Sequence, residues 1–388
     1  MVAALKYSTG FDCSKEEFVA AILLVNTDQQ NVVKATRKFS NTNKGFIDCE
    51  YWINQHKKVD VPVVITMEAT GNYHENLAFY FYQKGYYVSV VLPNKAKKYL
   101  QSLGLKSKND TIDAKGLAQM GAEQRLSQWE PFSESFYELR ALTRYCEQLS
   151  ANRTQLMNQL SSMEYSMYQI EEVKNGLKEL IALTEKQLDQ IKERIEELVR
   201  KDEKISGRFN NILTIKGLGL LSLATVVAET NGFELFENER QLTSYAGYDV
   251  IENQSGKRTG KTKISKKGNS HIRRIMHMPA LNVVRCKEER FVNIYERIMS
   301  RTTVKMKAYV AIQRKLLCMI YILWKKNEAY DPNYTGTTGN AEQKSLFPHG
   351  FGETNRVGRG LLPRPLTPPC MLSHTAVSFN CLTCRNLM

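Results

Sequence analysis

Short apolar, β-branched runs give way to strand-like segments alternating with helix-like ones. This order predicts an α/β domain at the start of the chain. A sustained seven-residue repeat and then a helical region with a basic centre predict that the rest is all-α. At roughly 150 residues per domain, a chain of 388 residues divides into two to three domains. The expected boundaries are 1–130 (α/β), 131–205 (coiled-coil or helical linker for oligomerisation), 206–328 (helical, basic) and a tail, 329–388.

Ala3–Phe11, Phe18–Val25 and Val32–Phe39 read as three strands separated by polar turns, an antiparallel meander. A helix near Phe46–His56, a buried strand Val61–Met67, a helix from Tyr73 to Lys84 and a second strand Tyr86–Leu92 follow, then two more helices. Strands alternating with helices imply parallel pairing through crossovers. Meander followed by β-α-β-α is the element order of ribonuclease-H-like folds.

From Ser133 to Glu203, Leu142, Leu149, Leu156, Met163, Ile170 and Leu177 recur every seven residues, and the phase then slips by four to Ile181, Leu188 and Ile195. A heptad seam with a stutter is a coiled-coil pattern. Gly176 suggests a turn that would make the element a helical hairpin. Residues 206–327 carry a glycine turn at Ile215-Lys216-Gly217-Leu218-Gly219. The tail holds six of the ten prolines and little periodicity, so disorder is expected there.

Charge narrows the function. Fifty-four Lys and Arg against 40 Asp and Glu leave +14, which favours polyanionic partners. No run approaches the ~20 apolar residues of a membrane span. The N-terminus lacks a signal-peptide pattern, so a cytosolic chain with no membrane partner is expected. Eight cysteines in such a chain are expected to stay free thiols. Cys381-x-x-Cys384 stands alone, without the second pair that a zinc site needs.

Two groups of residues carry chemistry. Asp12 closes the first strand, Glu68 ends the second buried one, and Asp110 and Asp113 share one face at the start of a helix. Ligands bind at the carboxyl ends of strands in open α/β sheets, which would bring these four together. Carboxylates so close repel unless a divalent cation intervenes. Hard oxygen donors suit Mg²⁺ or Mn²⁺ and phosphodiester chemistry. Taken singly, Asp110 also reads as a helix cap and Asp113 as a partner of the helix dipole.

The second group is the acid-free run Ser255–Arg274, with Lys257, Arg258, Lys261, Lys263, Lys266, Lys267, Arg273 and Arg274, glycines for close approach, and Ser265, Asn269, Ser270 and His271 as hydrogen-bonding groups. That composition suits phosphate-backbone contact. Ser255 sits at its mouth, with no neighbouring acid or histidine to activate it.

Met67-Glu68-Ala69-Thr70-Gly71-Asn72-Tyr73 and Asn109-Asp110-Thr111-Ile112-Asp113-Ala114 resemble the DEDD-motif transposases of bacterial insertion sequences, family 110, also called bridge-RNA-guided serine recombinases. Ile215-Lys216-Gly217-Leu218-Gly219, Ser244-Tyr245-Ala246-Gly247, Gln254-Ser255-Gly256 and Lys266–Arg274 follow the same pattern in order, over about residues 5 to 325. The resemblance implies a RuvC-like first domain with Asp12, Glu68, Asp110 and Asp113 as metal ligands. It implies Ser255 as the nucleophile that forms a phosphoserine with DNA. It also implies a homodimer or homotetramer with shared active sites, acting in the bacterial cytoplasm and associated with the nucleoid. Double-stranded target and donor DNA would be chosen by a structured noncoding guide (bridge) RNA. A metal-dependent nuclease or junction resolvase using activated water is the alternative.

Overall fold

Three antiparallel strands open the chain: β1 (Ala4–Cys13), β2 (Glu17–Asn26) and β3 (Asn31–Ser40). In register, Gly10 faces Ala21, Asp12 faces Val19 and Glu17 faces Ser40. The computed structural model describes residues 3–333 except Gln29, Thr70, 105–108, Asn253, 256–257 and 261–262, with Gln254, Ser255, Arg258 and Thr259 described through their backbone alone.

Helix α1 (Asn43–His56), whose first turn is capped by the Thr42 side chain, leads to β4 (Val63–Glu68). Helix α2 (Glu75–Gln83) then leads to β5 (Tyr87–Val91). Both crossovers return parallel strands, giving a mixed five-stranded sheet of order β3-β2-β1-β4-β5. This is the expected meander followed by β-α-β, consistent with a ribonuclease-H-like fold.

Strand residues alternate between the two faces of the sheet. Tyr7, Phe11 and Cys13 of β1 join Phe46, Trp52, Leu77 and Phe81 of α1 and α2 in one apolar cluster. The Phe11 ring lies 5.5 Å from Phe18 and 5.3 Å from Phe81. Full burial of such a ring contributes about 1.5–3 kcal/mol. Burial in this layer pushes the Cys13 thiol up to about 12, with the charge of Asp12 adding to the effect. The opposite face carries α4 (Asp110–Glu123), reached through α3 (Pro93–Ser102). There Val19, Ala21 and Leu23 pack against Ala114 and Ala118.

Ser133 caps α5 (Glu134–Glu164), which turns back through residues 165–170 into α6 (Glu171–Lys201). The element is therefore a hairpin. Its turn lies before Gly176, which sits inside α6. The inner half is held by Cys146, Leu149 and Leu188, with Leu221 against them. Arg153–Glu185 (2.7 Å) and Arg194–Glu138 (3.0 Å) bridge the two helices.

The remainder comprises α7 (Glu203–Leu213), α8 (Leu220–Glu229), α9 (Glu239–Tyr245), β6 (Val250–Ile251), β7 (Gln254–Ser255), β8 (Arg258–Thr259), β9 (Lys263–Ile264), α10 (Ser270–Ile275), α11 (His277–Arg285), α12 (Glu289–Met299) and α13 (Lys305–Lys326). The strands β6–β9 correct the expectation of an all-α region. Its core gathers Phe209, Phe233, Phe291 and Trp324. The Gly217 turn has φ +96°, and a Cβ there would lie 2.8 Å from the Asn282 carbonyl carbon, so the turn presses on α11. Among the described residues no helix is long and apolar enough to cross a membrane. Cys13, Cys49, Cys146, Cys286 and Cys318 are free thiols. The tail expected to be disordered, with Cys381 and Cys384, lies outside the described residues from 334 onward.

Candidate active site

The face of β1 that carries Ser8, Gly10 and Asp12 lies under α4. Ser8 Oγ donates to the Ala118 carbonyl at 2.6 Å. A Cβ on Gly10 would lie 2.1 Å from the Ala114 carbonyl oxygen and 2.2 Å from the Ala118 nitrogen. On β4, Thr66 occupies the same face, since a Cβ on Gly121 would lie 2.3 Å from its Oγ1. Glu68 follows Thr66 by two residues and so shares that face. Phe11 pairs with Met67 in the parallel register, which makes Asp12 and Glu68 the next residues along adjacent strand ends.

Helix α4 runs against the direction of β1, with Ala118 over Ser8 and Ala114 over Gly10. Its first turn, with Asp110 and Asp113, therefore reaches the end of the sheet that bears Asp12 and Glu68. Asn109 fixes that start by accepting from the Ile112 amide at 2.8 Å. The backbone thus brings all four acidic residues to one edge. Their oxygens are not gathered: among the described residues no three His, Cys, Asp or Glu side chains stand close enough to hold a metal ion. Asp12, Glu68 and Asp113 each interact with a neighbouring group.

Two residues at this edge were not legible from motif spacing. Asn41 Nδ2 donates to the carbonyls of Ser14 (2.8 Å) and Tyr73 (2.9 Å), tying the β1–β2 turn to the loop after Glu68. Lys38 Nζ donates to Glu17 Oε1 at 2.5 Å. That hydrogen bond, then the charge of Glu17, raises the Lys38 pKa, and the charge of Asp110 adds to it.

The basic run forms an arm. Val250 and Ile251 pair with Ile264 and Lys263, and nested inside them Gln254 and Ser255 pair with Thr259 and Arg258. These are two separate two-stranded sheets, β7–β8 lying within β6–β9 in sequence, and together they make the arm. Its base is anchored by backbone bonds from Ser265 to Asp249 (2.7 Å), Lys266 to Gly247 (3.1 Å) and Asn269 to Tyr245 (2.7 Å). Lys263, Lys266 and Lys267 are exposed. Lys257, Lys261 and the side chains of Ser255 and Arg258 lie outside the described residues.

Asn269 and Arg273 have intramolecular partners. Asn269 Nδ2 donates to Glu229 Oε2 at 2.6 Å, while its Oδ1 accepts from the Ile272 amide at 3.1 Å. Arg273 Nη1 donates to the carbonyls of Ala246 (2.7 Å) and Asn269 (3.1 Å). Glu229, fully buried, also takes Arg144 in a bidentate pair, Nε to Oε1 at 2.6 Å and Nη2 to Oε2 at 2.9 Å. Burial pushes the Glu229 carboxyl up, but the hydrogen bond and charge of Arg144, with Asn269 and Arg140, outweigh it and leave the pKa below the ordinary value. The signal for Glu229 was present in sequence as the one carboxylate ending the apolar run Leu220–Ala228. Arg274 and His271 both meet Glu147 on α5, the His271 Nδ1 at 2.6 Å from Oε2.

Residues 9–168 match the DEDD transposase family of IS110 type, described as "Transposase", and residues 210–296 match the "Transposase IS116/IS110/IS902 family". A "Pilin gene-inverting protein" of Moraxella bovis is 28% identical over 324 residues, 83% of this chain and 97% of that protein. Its Moraxella lacunata counterpart is 29% identical over the same shares. The "Transposase for insertion sequence element IS1111A" of Coxiella burnetii is 23% identical over 276 residues, 64% of this chain and 74% of that one. The first match spans the acidic sheet edge and the second spans the Glu229 hub and the basic arm. With both in family order on one chain, this protein belongs to the IS110 family of transposases, enzymes that recombine DNA.

Proposed function

We propose that this transposase cuts and rejoins double-stranded target and donor DNA through a phosphoserine at Ser255, assisted by a divalent cation at the acidic edge. The observation that carries it is the placement of Asp12, Glu68, Asp110 and Asp113 at one end of β1, β4 and α4. The donor set fits the ion: four carboxylates supply hard oxygens for Mg²⁺ or Mn²⁺, and the cation would offset their mutual repulsion when they converge on it. When bound, the cation would stabilise charge on the scissile phosphate.

The chain's own residues do the rest. Lys263, Lys266 and Lys267 hold the flanking backbone by charge. Ser255 Oγ gives up its proton and attacks phosphorus to form a P–O bond, the P–O3′ bond breaks, and the departing 3′-oxygen takes up a proton, so no net proton is gained or lost. Attack by a different 3′-hydroxyl on the phosphoserine reverses these events and releases the serine. No water is consumed, so the phosphodiester energy is conserved for rejoining. The relatives named for pilin-gene inversion and for insertion-sequence transposition are compatible with one such exchange, resolved as inversion or insertion.

A strand-paired arm that carries Ser255 suits delivery of the nucleophile to the acidic edge of another copy, in a homodimer or homotetramer. Exposed apolar residues at the α5–α6 tip supply a surface for that assembly. A structured guide RNA would choose the sites by base pairing, with the arm's cationic residues holding the phosphate backbone.

The test is a plasmid recombination assay with adduct trapping. Ser255→Ala should abolish both strand exchange and the covalent protein–DNA adduct while leaving DNA binding intact. Asp110→Asn should abolish both without affecting expression or folding. Metal-dependent cleavage by Ser255→Ala with no adduct in the wild type would instead establish hydrolysis by activated water.

A further inference from the structure

The sequence stretch Pro93-Asn94-Lys95-Ala96-Lys97-Lys98 takes no part in the scheme above, yet its location is specific. Helix α3 begins directly after β5, where the Val91 carbonyl accepts the Ala69 amide at 2.9 Å. Ala69 is the residue after Glu68, so the first turns of α3 flank the acidic edge one strand away. The inner face of α3 is committed to packing. Ala96 is buried with Leu117 and Met120 of α4, a Cβ on Gly116 would lie 2.1 Å from Leu100 Cδ2, and Tyr99 Oη donates to Glu123 at 2.6 Å.

The outer face carries Lys95, Lys97 and Lys98, all exposed, and α3 contains no acidic residue. Among the described residues none of these three lysines has an ion-pair or hydrogen-bond partner. Lys38, Lys57 and Lys84 of the same domain each pair with a carboxylate. The arrangement disfavours the free helix. Lys95 sits in the first turn, where the helix dipole prefers an acid, and Lys95 and Lys98 are like charges at i, i+3. A polyanion laid along this face removes both penalties.

We propose that the outer face of α3 binds the sugar–phosphate backbone of the DNA strand entering the acidic edge, as a second electrostatic surface separate from the Ser255 arm. This inference rests on the reading of that edge as the cleavage site. Charge complementarity and continuity with the Glu68 strand end select DNA over a partner protein. Lysine ammonium groups at helical spacing contact phosphates without reading bases, so the surface holds the strand in place and leaves sequence choice elsewhere.

The experiment compares full-length wild type, Lys95→Gln/Lys97→Gln/Lys98→Gln, and a charge-matched control, Lys178→Gln/Lys186→Gln/Lys201→Gln. The probe is a labelled duplex of arbitrary sequence, titrated across a salt series, with a single-stranded RNA of the same sequence in parallel. Each lost phosphate contact lowers the salt slope by about 0.9 on B-DNA. The α3 variant should therefore lose about two to three units of slope on DNA, and the control should lose none. An unchanged slope, an equal fall in the control, or a fall confined to RNA overturns the proposal. Thermal melting excludes misfolding, since only exposed side chains change. Asp110→Asn, run beside the wild type in the plasmid recombination assay, separates the two claims. If Asp110→Asn recombines plasmids as the wild type does while the α3 slope still falls, the acidic edge is not the cleavage site and the DNA surface stands.

Discussion

A Cβ placed on Gly10 would lie 2.1 Å from the carbonyl oxygen of Ala114, so β1 and α4 meet backbone to backbone at this point. That approach sets the height of Asp110 and Asp113 above Asp12. Gly10→Ala requires α4 to lift by more than an ångström, because ordinary carbon–oxygen contact begins near 3.4 Å. Overpacking of this kind costs about 1–3 kcal/mol, and misplacement on this scale lowers rate by about 10²-fold. Urea denaturation and plasmid recombination rates measure the two effects. Unchanged recombination would show that α4 does not position the acidic edge.

Glu229 joins α5, α8 and the base of the basic arm through Arg144 and Asn269. Glu229→Gln leaves Arg144 without its counter-charge. We expect a loss of about 2–3 kcal/mol, below the roughly 3–5 kcal/mol of breaking a fully buried pair, because the Arg144 side chain is 35% exposed. A shift in the midpoint of chemical denaturation measures it.

Glu229 also predicts a pH dependence. Its folded pKa lies below the ordinary 4.5. The unfolded chain therefore binds the proton more tightly, and the stabilisation is present above the unfolded pKa and disappears as pH falls through the folded value. Denaturation midpoints from pH 7 down through the acid range should show this loss in the wild type and a shallower profile in Glu229→Gln. Parallel profiles would mean that Glu229 is not the group responsible.

Glu147 holds both His271 and Arg274 from α5. Glu147→Gln should free Arg274 for phosphate and steepen the salt dependence of DNA binding by about one unit. Weaker binding at every salt concentration would instead show that Glu147 orients the pair for DNA.

At the hairpin tip, Tyr165 is 89%, Met167 87% and Tyr168 77% exposed, an apolar set with nothing covering it in the single chain. Met167→Lys together with Tyr168→Lys should weaken self-association, read by sedimentation velocity over a concentration series. An unchanged sedimentation profile would move the assembly surface elsewhere.

Local pattern was enough for the first half of the molecule. The alternation in Ala4–Cys13 and the largely apolar, β-branched run in Val63–Met67 mark strands because side chains there point to opposite faces or are buried on both. Asp12 and Glu68 were legible as strand-end residues for the same reason, and residue order alone established the kinship with IS110 transposases. The hairpin was only half legible. Met163 to Ile170 preserves the seven-residue spacing across the chain reversal, so periodicity could not place the turn that the structure puts at 165–170. What only the tertiary structure decided is which polar groups are committed to one another. Asn269 and Arg273 read as members of a uniform basic run, yet each finds partners inside the protein, and Glu229 is satisfied by an arginine 85 residues away. Composition records charge along the chain. Burial and long-range pairing, which settle whether a charge is engaged or available to bind DNA, exist only once α5, α8 and α10 have packed.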